Sequence, residues 1–359
     1  MENKKTDSPE VKGHILIFHA FDVGDEIDLN LVQKESGLTP KNVKLPRYFK
    51  NYHTPLVVDL PLMNKSEFCV CAKIYSFGVI SLYYKIPFNK KLDDIRNEIE
   101  NIDLQFEEQS MQDAHTLFKR IKKYTNHAKF YHLRTSYDVI QINNGQISTE
   151  DLQKKYSNTI CSILRFETET LSEYQKNEIL STASSYYRSD FIVIDINAAF
   201  IADDQYEELV DLFEFANIQG LELQYFDKAL DSQLNAIYEQ KLGKIPWTVY
   251  LPFTSSHNSP IEQLSRTKVD ISVITERLEN SIKLTSDAYY MEIYNMLVKK
   301  LDLGRWRDSI STKLNILKDL LSIYNEKIDG IREEILSVLI IILIFIELVV
   351  GVLSYMAHK

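Results

Sequence analysis

The sequence predicts an α+β body with a mostly antiparallel sheet, then a long C-terminal helical hairpin and one transmembrane helix. Three observations carry that expectation. Short runs rich in β-branched and aromatic residues interleave irregularly with 3.6-period stretches up to about residue 242, as in an α+β chain. An apolar repeat then runs from Ile310 to Ile335 with spacings of 4, 3, 4, 3, 4, 3 and 4. Finally, "LSVLIIILIFIELVVGVL", residues 336–353, is almost wholly apolar.

Residues 1–12 have no apolar core and little basic bias, so they read as a disordered lead-in, neither secretory signal nor presequence. The body follows over 13–242. "HILIFHAF" (14–21) and "TPLVVDL" (54–60) read as strands. "EFCVCAKIYSFGVISLYYKIPF" (67–88) reads as a hairpin turning near Ser76–Gly78. Helices are expected at 89–102 and about 106–127, strands at "YDVIQIN" and "TICSILRFE", and a helix over 172–187. One strand is expected over 190–203, and a long helix over 205–240 with a bend at Gly220. The Pro- and Ser-bearing stretch 243–260 reads as a linker.

The segment 261–335 reads as a helical hairpin. Ile261, Leu264, Ile271, Ile274 and Leu278 begin the first helix, and Gly304 is the expected turn residue. The second helix carries the seam Ile310, Leu314, Leu317, Leu321, Tyr324, Ile328 and Ile331. Two readings fit that seam: packing on the protein's own domain, or a coiled coil with a partner.

Residues 336–353 span roughly 27 Å as a helix, close to a bilayer's hydrocarbon thickness. Only the short tail 354–359 follows, so the expectation is a tail anchor. Lys318, Lys327 and Arg332 precede the span and Lys359 follows it, which favours a cytoplasmic body. Glu347 lies inside the span. With Gly351 and Ser354 it makes a small, polar face suited to contact between membrane helices.

The net charge of −10 is a poor global match for nucleic-acid phosphates. One local anomaly is the acid-free stretch with Lys119, Arg120, Lys122, Lys123, Lys129 and Arg134, a candidate anion or RNA patch whose bland reading is a solvated helix face. Cys69, Cys71 and Cys161 form no disulfide framework and fit a reducing compartment. Alternation along a strand would turn Cys69 and Cys71 the same way, but a lone CxC is more often core than metal site. His14 and His19 fall on opposite strand faces and make a poor pair. Asp195 is expected in a strand, in a hydrogen-bonded role. No Walker A loop, GxGxxG, HExxH or GxSxG is present, so no catalytic residue, cofactor or metal is expected.

The C-terminal segment "STKLNILKDLLSIYNEKIDGIREE", followed by "IILIFIELVVGVL", resembles the end of the "required for meiotic nuclear division" family, also called domain of unknown function 155 or YagE. The Leu314–Asn315 and Ile346–Glu347 pairs carry the resemblance. "CAKIYSFGVISLYYKIPF" is similar to that family's strand pair, and the likeness touches most of the chain from about 67 onward. The resemblance implies a membrane protein that supports translation, as eukaryotic members do in mitochondria. With no presequence, it implies a bacterial relative in the inner membrane. The expected function is a membrane-tethered scaffold or interaction protein whose partners are the membrane and either a second copy or another membrane protein. Nucleic acid is the lesser expectation. The alternative is a membrane-bound enzyme whose site is assembled from scattered residues.

Overall fold

In the computed structural model, residues 9–41, 54–60, 68–130, 133–187, 189–239, 269 and 288–357 are described. The elements begin with β1 (Glu10–Asp22), β2 (Glu26–Ile27), α1 (Leu29–Glu35), β3 (Leu56–Val58), β4 (Cys69–Tyr75), β5 (Val79–Lys91) and α2 (Leu92–Ile121). After them come β6 (Thr125–Asn126), β7 (Arg134–Ile142), α3 (Thr149–Lys154), α4 (Ser157–Leu164), α5 (Glu173–Leu180), β8 (Phe191–Ile194) and β9 (Ala198–Ala202). Helices α6 (Glu207–Glu239), α7 (Ala288–Lys300) and α8 (Leu303–Ala357) complete the described chain. The protein divides into two compact units, Met1–Tyr225 with Arg277–Trp306, and Phe226–Glu276 with Arg307–Lys359.

The first unit is built on a seven-stranded sheet of order β3-β4-β5-β1-β7-β9-β8. Neighbours are antiparallel except β7 and β9, which run parallel. The class is therefore α+β with a mostly antiparallel sheet. β1 is the central strand, paired with β5 from Glu10↔Lys91 to Asp22↔Val79 and with β7 from Gly13↔Ile142 to Phe21↔Arg134. Successive side chains enter opposite layers. Val11, Ile15, Ile17 and Phe21 pack with α2, α4 and α5, whereas Leu16 and Phe18 pack with α6 and α7. Burial on both faces explains why "HILIFHAF" is apolar at nearly every position.

The β4–β5 hairpin turns through Ser76–Gly78, as the sequence predicts. Gly78 has φ +91, and a Cβ there would sit 1.7 Å from the Gly24 carbonyl oxygen, so only glycine fits. Helix α2 is continuous where two helices are expected. Nothing in Ile102–Gln105 breaks a helix, and Asp93 and Asp94 in its first turn and Lys119 and Arg120 in its last complement the helix dipole.

Four further expectations are corrected. "TICSILRFE" is mainly helix α4, not strand, because a short apolar run buried on most sides has no periodicity to separate the two. The single strand over 190–203 is the hairpin β8–β9, closed by Asp195 N–H donating to the Ala198 carbonyl at 2.9 Å. Helix α5 is capped by Ser172 and ends at Leu180, and Ser184 then bridges Ile192. Between α7 and α8 the left-handed residue is Asp302 (φ 53), while Gly304 lies inside α8. Helix α6 runs unbroken through Gly220, where a Cβ would lie in ordinary contact with Leu303, at 3.5 Å. The linker 243–260 and the pattern from Ile261 to Leu278 lie outside the described residues.

The second unit contains the C-terminal part of α6 and α8 from Arg307. Phe226, Leu230, Ile310 and Leu317 are buried. Ser309 Oγ donates to Asp227 Oδ1 at 2.6 Å, and Lys313 Nζ donates to Asp227 Oδ1 at 2.7 Å and pairs with Asp231 at the same distance. The start of the heptad seam therefore packs on α6 of the same chain.

Candidate functional site

The predicted site residues fall in three places. Of the seam, Ile310 and Leu317 are buried and Leu314 and Ile331 half-buried. The backbone at Leu321, Tyr324 and Ile328 continues α8, but their side chains lie outside the described residues. Glu347, Gly351 and Ser354 are exposed along α8. The basic stretch is split. Lys119, Lys122, Lys123 and Lys129 are exposed around the end of α2, Lys123 lying 4.5 Å from the centre of the Tyr124 ring. Arg134 instead starts β7 and forms an ion pair with Glu107 of α2.

Three buried polar groups could not be read from the sequence. In the first, Lys73 Nζ on β4 donates to Glu214 Oε2 at 2.5 Å and Asp211 Oδ1 at 2.8 Å on α6. Ser81 Oγ donates to Glu214 Oε1 at 2.6 Å. Burial alone would push Lys73 down, but Glu214 and Asp211 hold it well above the ordinary lysine range. The only sequence signal is a lone lysine in "CVCAKIY".

The second group centres on Asp195, which sits in the β8–β9 turn and not in a strand. Its carboxylate is fully buried and pairs with Arg165 Nε at 2.5 Å and Lys300 Nζ at 3.2 Å. Glu178 on α5 meets the same two cations, and the hydrogen bond from Lys300 lowers its carboxyl below the usual range. The Tyr137 hydroxyl donates to the Asp195 carbonyl at 2.9 Å. This network ties α7 to the sheet.

The third group lies on the α2-facing side of β1 and β7. His19 and Asp138 are each 1% exposed, and neither side chain has a hydrogen-bond partner among the described residues. Burial, and then Arg134, depress His19 to about 3, so it is neutral at physiological pH. Burial, and then Asp103, raise Asp138 well above the carboxylate range. His14, on the opposite face, instead hydrogen-bonds Gln141 Oε1 at 3.0 Å.

Cys69 and Cys71 are not a pair. A bulge between them sets Cys69 opposite Tyr84 and Cys71 opposite Tyr83, on opposite faces of the sheet. No group of three or more His, Cys, Asp or Glu suited to a metal occurs among the described residues.

A carboxylate pair at the end of β1 yields a pH prediction. Burial pushes Asp22 up to about 7, against the Gly24 N–H that stabilises its charge. Glu222 on α6 is raised by burial and then by Asp22. A carboxyl raised in the folded state binds its proton more tightly there, so stability falls as pH rises from the unfolded value near 4 to about 7. Asp22→Asn should remove that slope, a contribution of at most about 4 kcal/mol. Melting of the detergent-solubilised chain between pH 5 and 7.5 checks it: equal pH slopes for wild type and variant would refute the assignment.

The seven-stranded α+β body with buried ion groups defines a class, and sequence comparison supplies the family. Residues 12–208 match the family described as "Uncharacterized protein MJ0711, N-terminal domain", and the chain belongs to it. The match runs from β1 to the start of α6, so Lys73, Arg165 and Asp195 lie inside it and Glu214, Lys300 and α8 outside. The chain is 26% identical over 202 residues to "Uncharacterized protein MJ0711" of Methanocaldococcus jannaschii. That alignment covers 55% of this chain and 60% of the relative. No solved structure matches.

Proposed function

We propose that the protein is a membrane-tethered scaffold, its body held at the cytoplasmic face and its anchor helix in contact with a second copy. One observation carries this. Residues Asp329–Ala357 of α8 have a mean hydropathy of 3.2 over their most apolar stretch and are long enough to cross a membrane, with none of that stretch buried. Every large apolar side chain from Leu336 to Met356 is exposed. Each such side chain left in water forgoes about 1.5–3 kcal/mol of burial, so a helix carrying this many needs an apolar medium. The basic residues before the span support a cytoplasmic body. The resemblance to the "required for meiotic nuclear division" family supports the same reading, and with it a role in translation.

Glu347 and Gly351 supply the helix contact, since a carboxylate at membrane depth needs a polar neighbour. Carbonate-washed membranes should retain the full chain, and deletion of 336–359 should release it. Glu347→Leu should keep retention and weaken cross-linking between copies. A full chain released by carbonate would end the tether reading. Cross-linking indifferent to Glu347→Leu would end the contact reading.

A further inference from the structure

The orphaned pair on the α2-facing side of the sheet goes beyond the membrane reading. Its placement follows from strand register. Ile17 opposes Asp138 and His19 opposes Ser136, so His19 and Asp138 are diagonal neighbours on one face. Diagonal positions lie about 7–8 Å apart at the backbone, within reach of long side chains, yet His19 and Asp138 hydrogen-bond neither each other nor any other described residue. Arg134 and Ser136 share that face of β7, because strand side chains alternate. Ser136 is exposed, so solvent reaches the strand immediately beside the two buried side chains. Helix α2 supplies Asp103 and Glu107, one turn apart.

The charges select the ligand. Glu107 and Arg134 neutralise each other in an ion pair. What remains is acceptor-rich: two orphaned oxygens on Asp138, the neutral imidazole of His19 and the half-buried Asp103. A buried carboxyl with no hydrogen bond costs stability, and native proteins seldom keep one without a partner such as a water or a ligand. We propose that this recess, formed by His19, Asp138, Asp103 and Ser136, binds a small primary amine in its ammonium form. An ammonium brings three N–H donors and one positive charge in a compact head. On binding, Asp138 releases to solvent the proton that burial otherwise holds on it, so two donors satisfy its carboxylate and one satisfies His19, while the positive charge offsets Asp138 with Asp103 beside it. Phosphate and other anions are excluded by the same acids.

Ethylamine, putrescine, sodium chloride at matched ionic strength and inorganic phosphate serve as probes on the full chain in detergent. The amines should raise the melting temperature where sodium chloride and phosphate do not, by ligand linkage. Asp138→Asn keeps the shape and removes the charge, and should weaken amine affinity about tenfold or more. As a second readout, the His19 ring resonance, identified by its loss in His19→Gln, should move on adding ethylamine to wild type. Amines that shift neither the melting temperature nor that resonance would overturn the proposal and leave buried water as the occupant. A response that survives Asp138→Asn unchanged, or is matched by phosphate, would overturn it as well. Neither test touches membrane retention, so each proposal can fail alone.

Discussion

Lys73→Met is expected to lower the melting temperature of the detergent-solubilised chain by roughly 10 °C. Lys73 and Glu214 are 6% and 1% exposed at the side chain, and Asp211 17%. Removing the cation leaves two carboxylates facing the sheet with no counter-charge. Breaking a buried pair in this way typically costs about 3–5 kcal/mol, and each kcal/mol moves a unit of this size by about 2–4 °C. The double variant Lys73→Met, Glu214→Gln should recover much of the loss, because glutamine keeps an acceptor for the Ser81 hydroxyl without the charge. A single variant that melts within a degree or two of wild type would show that Lys73 is not the counter-ion described.

Asp195→Ala should loosen α7 from the sheet and cost up to about 3–5 kcal/mol, because it takes the fully buried counter-charge from Lys300, which is 8% exposed at its side chain, and leaves it only the more exposed Glu178. Arg165 is 25% exposed and can turn to water, so the damage falls on the α7 side. Hydrogen exchange over 288–300 distinguishes this from general destabilisation. Those amides should exchange faster than the β1 amides in the variant, and Lys300→Met should reproduce the pattern. Unchanged exchange in α7 would mean that apolar packing of Ile293, Tyr294 and Leu297 alone holds the helix.

How far the sequence predicted these features varied with what each residue type can signal. Class, hairpin turn and apolar C-terminal helix were legible because alternation, a turn glycine and an unbroken apolar run are local signals. "TICSILRFE" was not, since five buried positions in a row, Ile160 to Leu164, satisfy a strand and a helix alike. Cys69 and Cys71 were misjudged because a bulge is one extra residue that composition does not mark. The buried groups were invisible for another reason. Lys73 meets partners 138 and 141 positions away, and Asp195 meets Lys300 at a separation of 105, so only the fold brings them together.

That last separation has a consequence for synthesis. Asp195 leaves the ribosome with Arg165 already made, but Lys300 follows 105 residues later, about 5–20 s at ordinary elongation rates. Tyr294 also reaches back to Gln219 at 2.5 Å, and Ile293 and Leu297 complete the layer under β7, β8 and β9. Until α7 emerges, α6 alone covers that side of the sheet and a buried carboxylate waits on a late cation. Leu336 begins only 36 residues after Lys300. Closure of the body and emergence of the apolar helix therefore fall within seconds of each other in translation. A chain stalled before residue 288 should carry an incomplete sheet layer, open to chaperones.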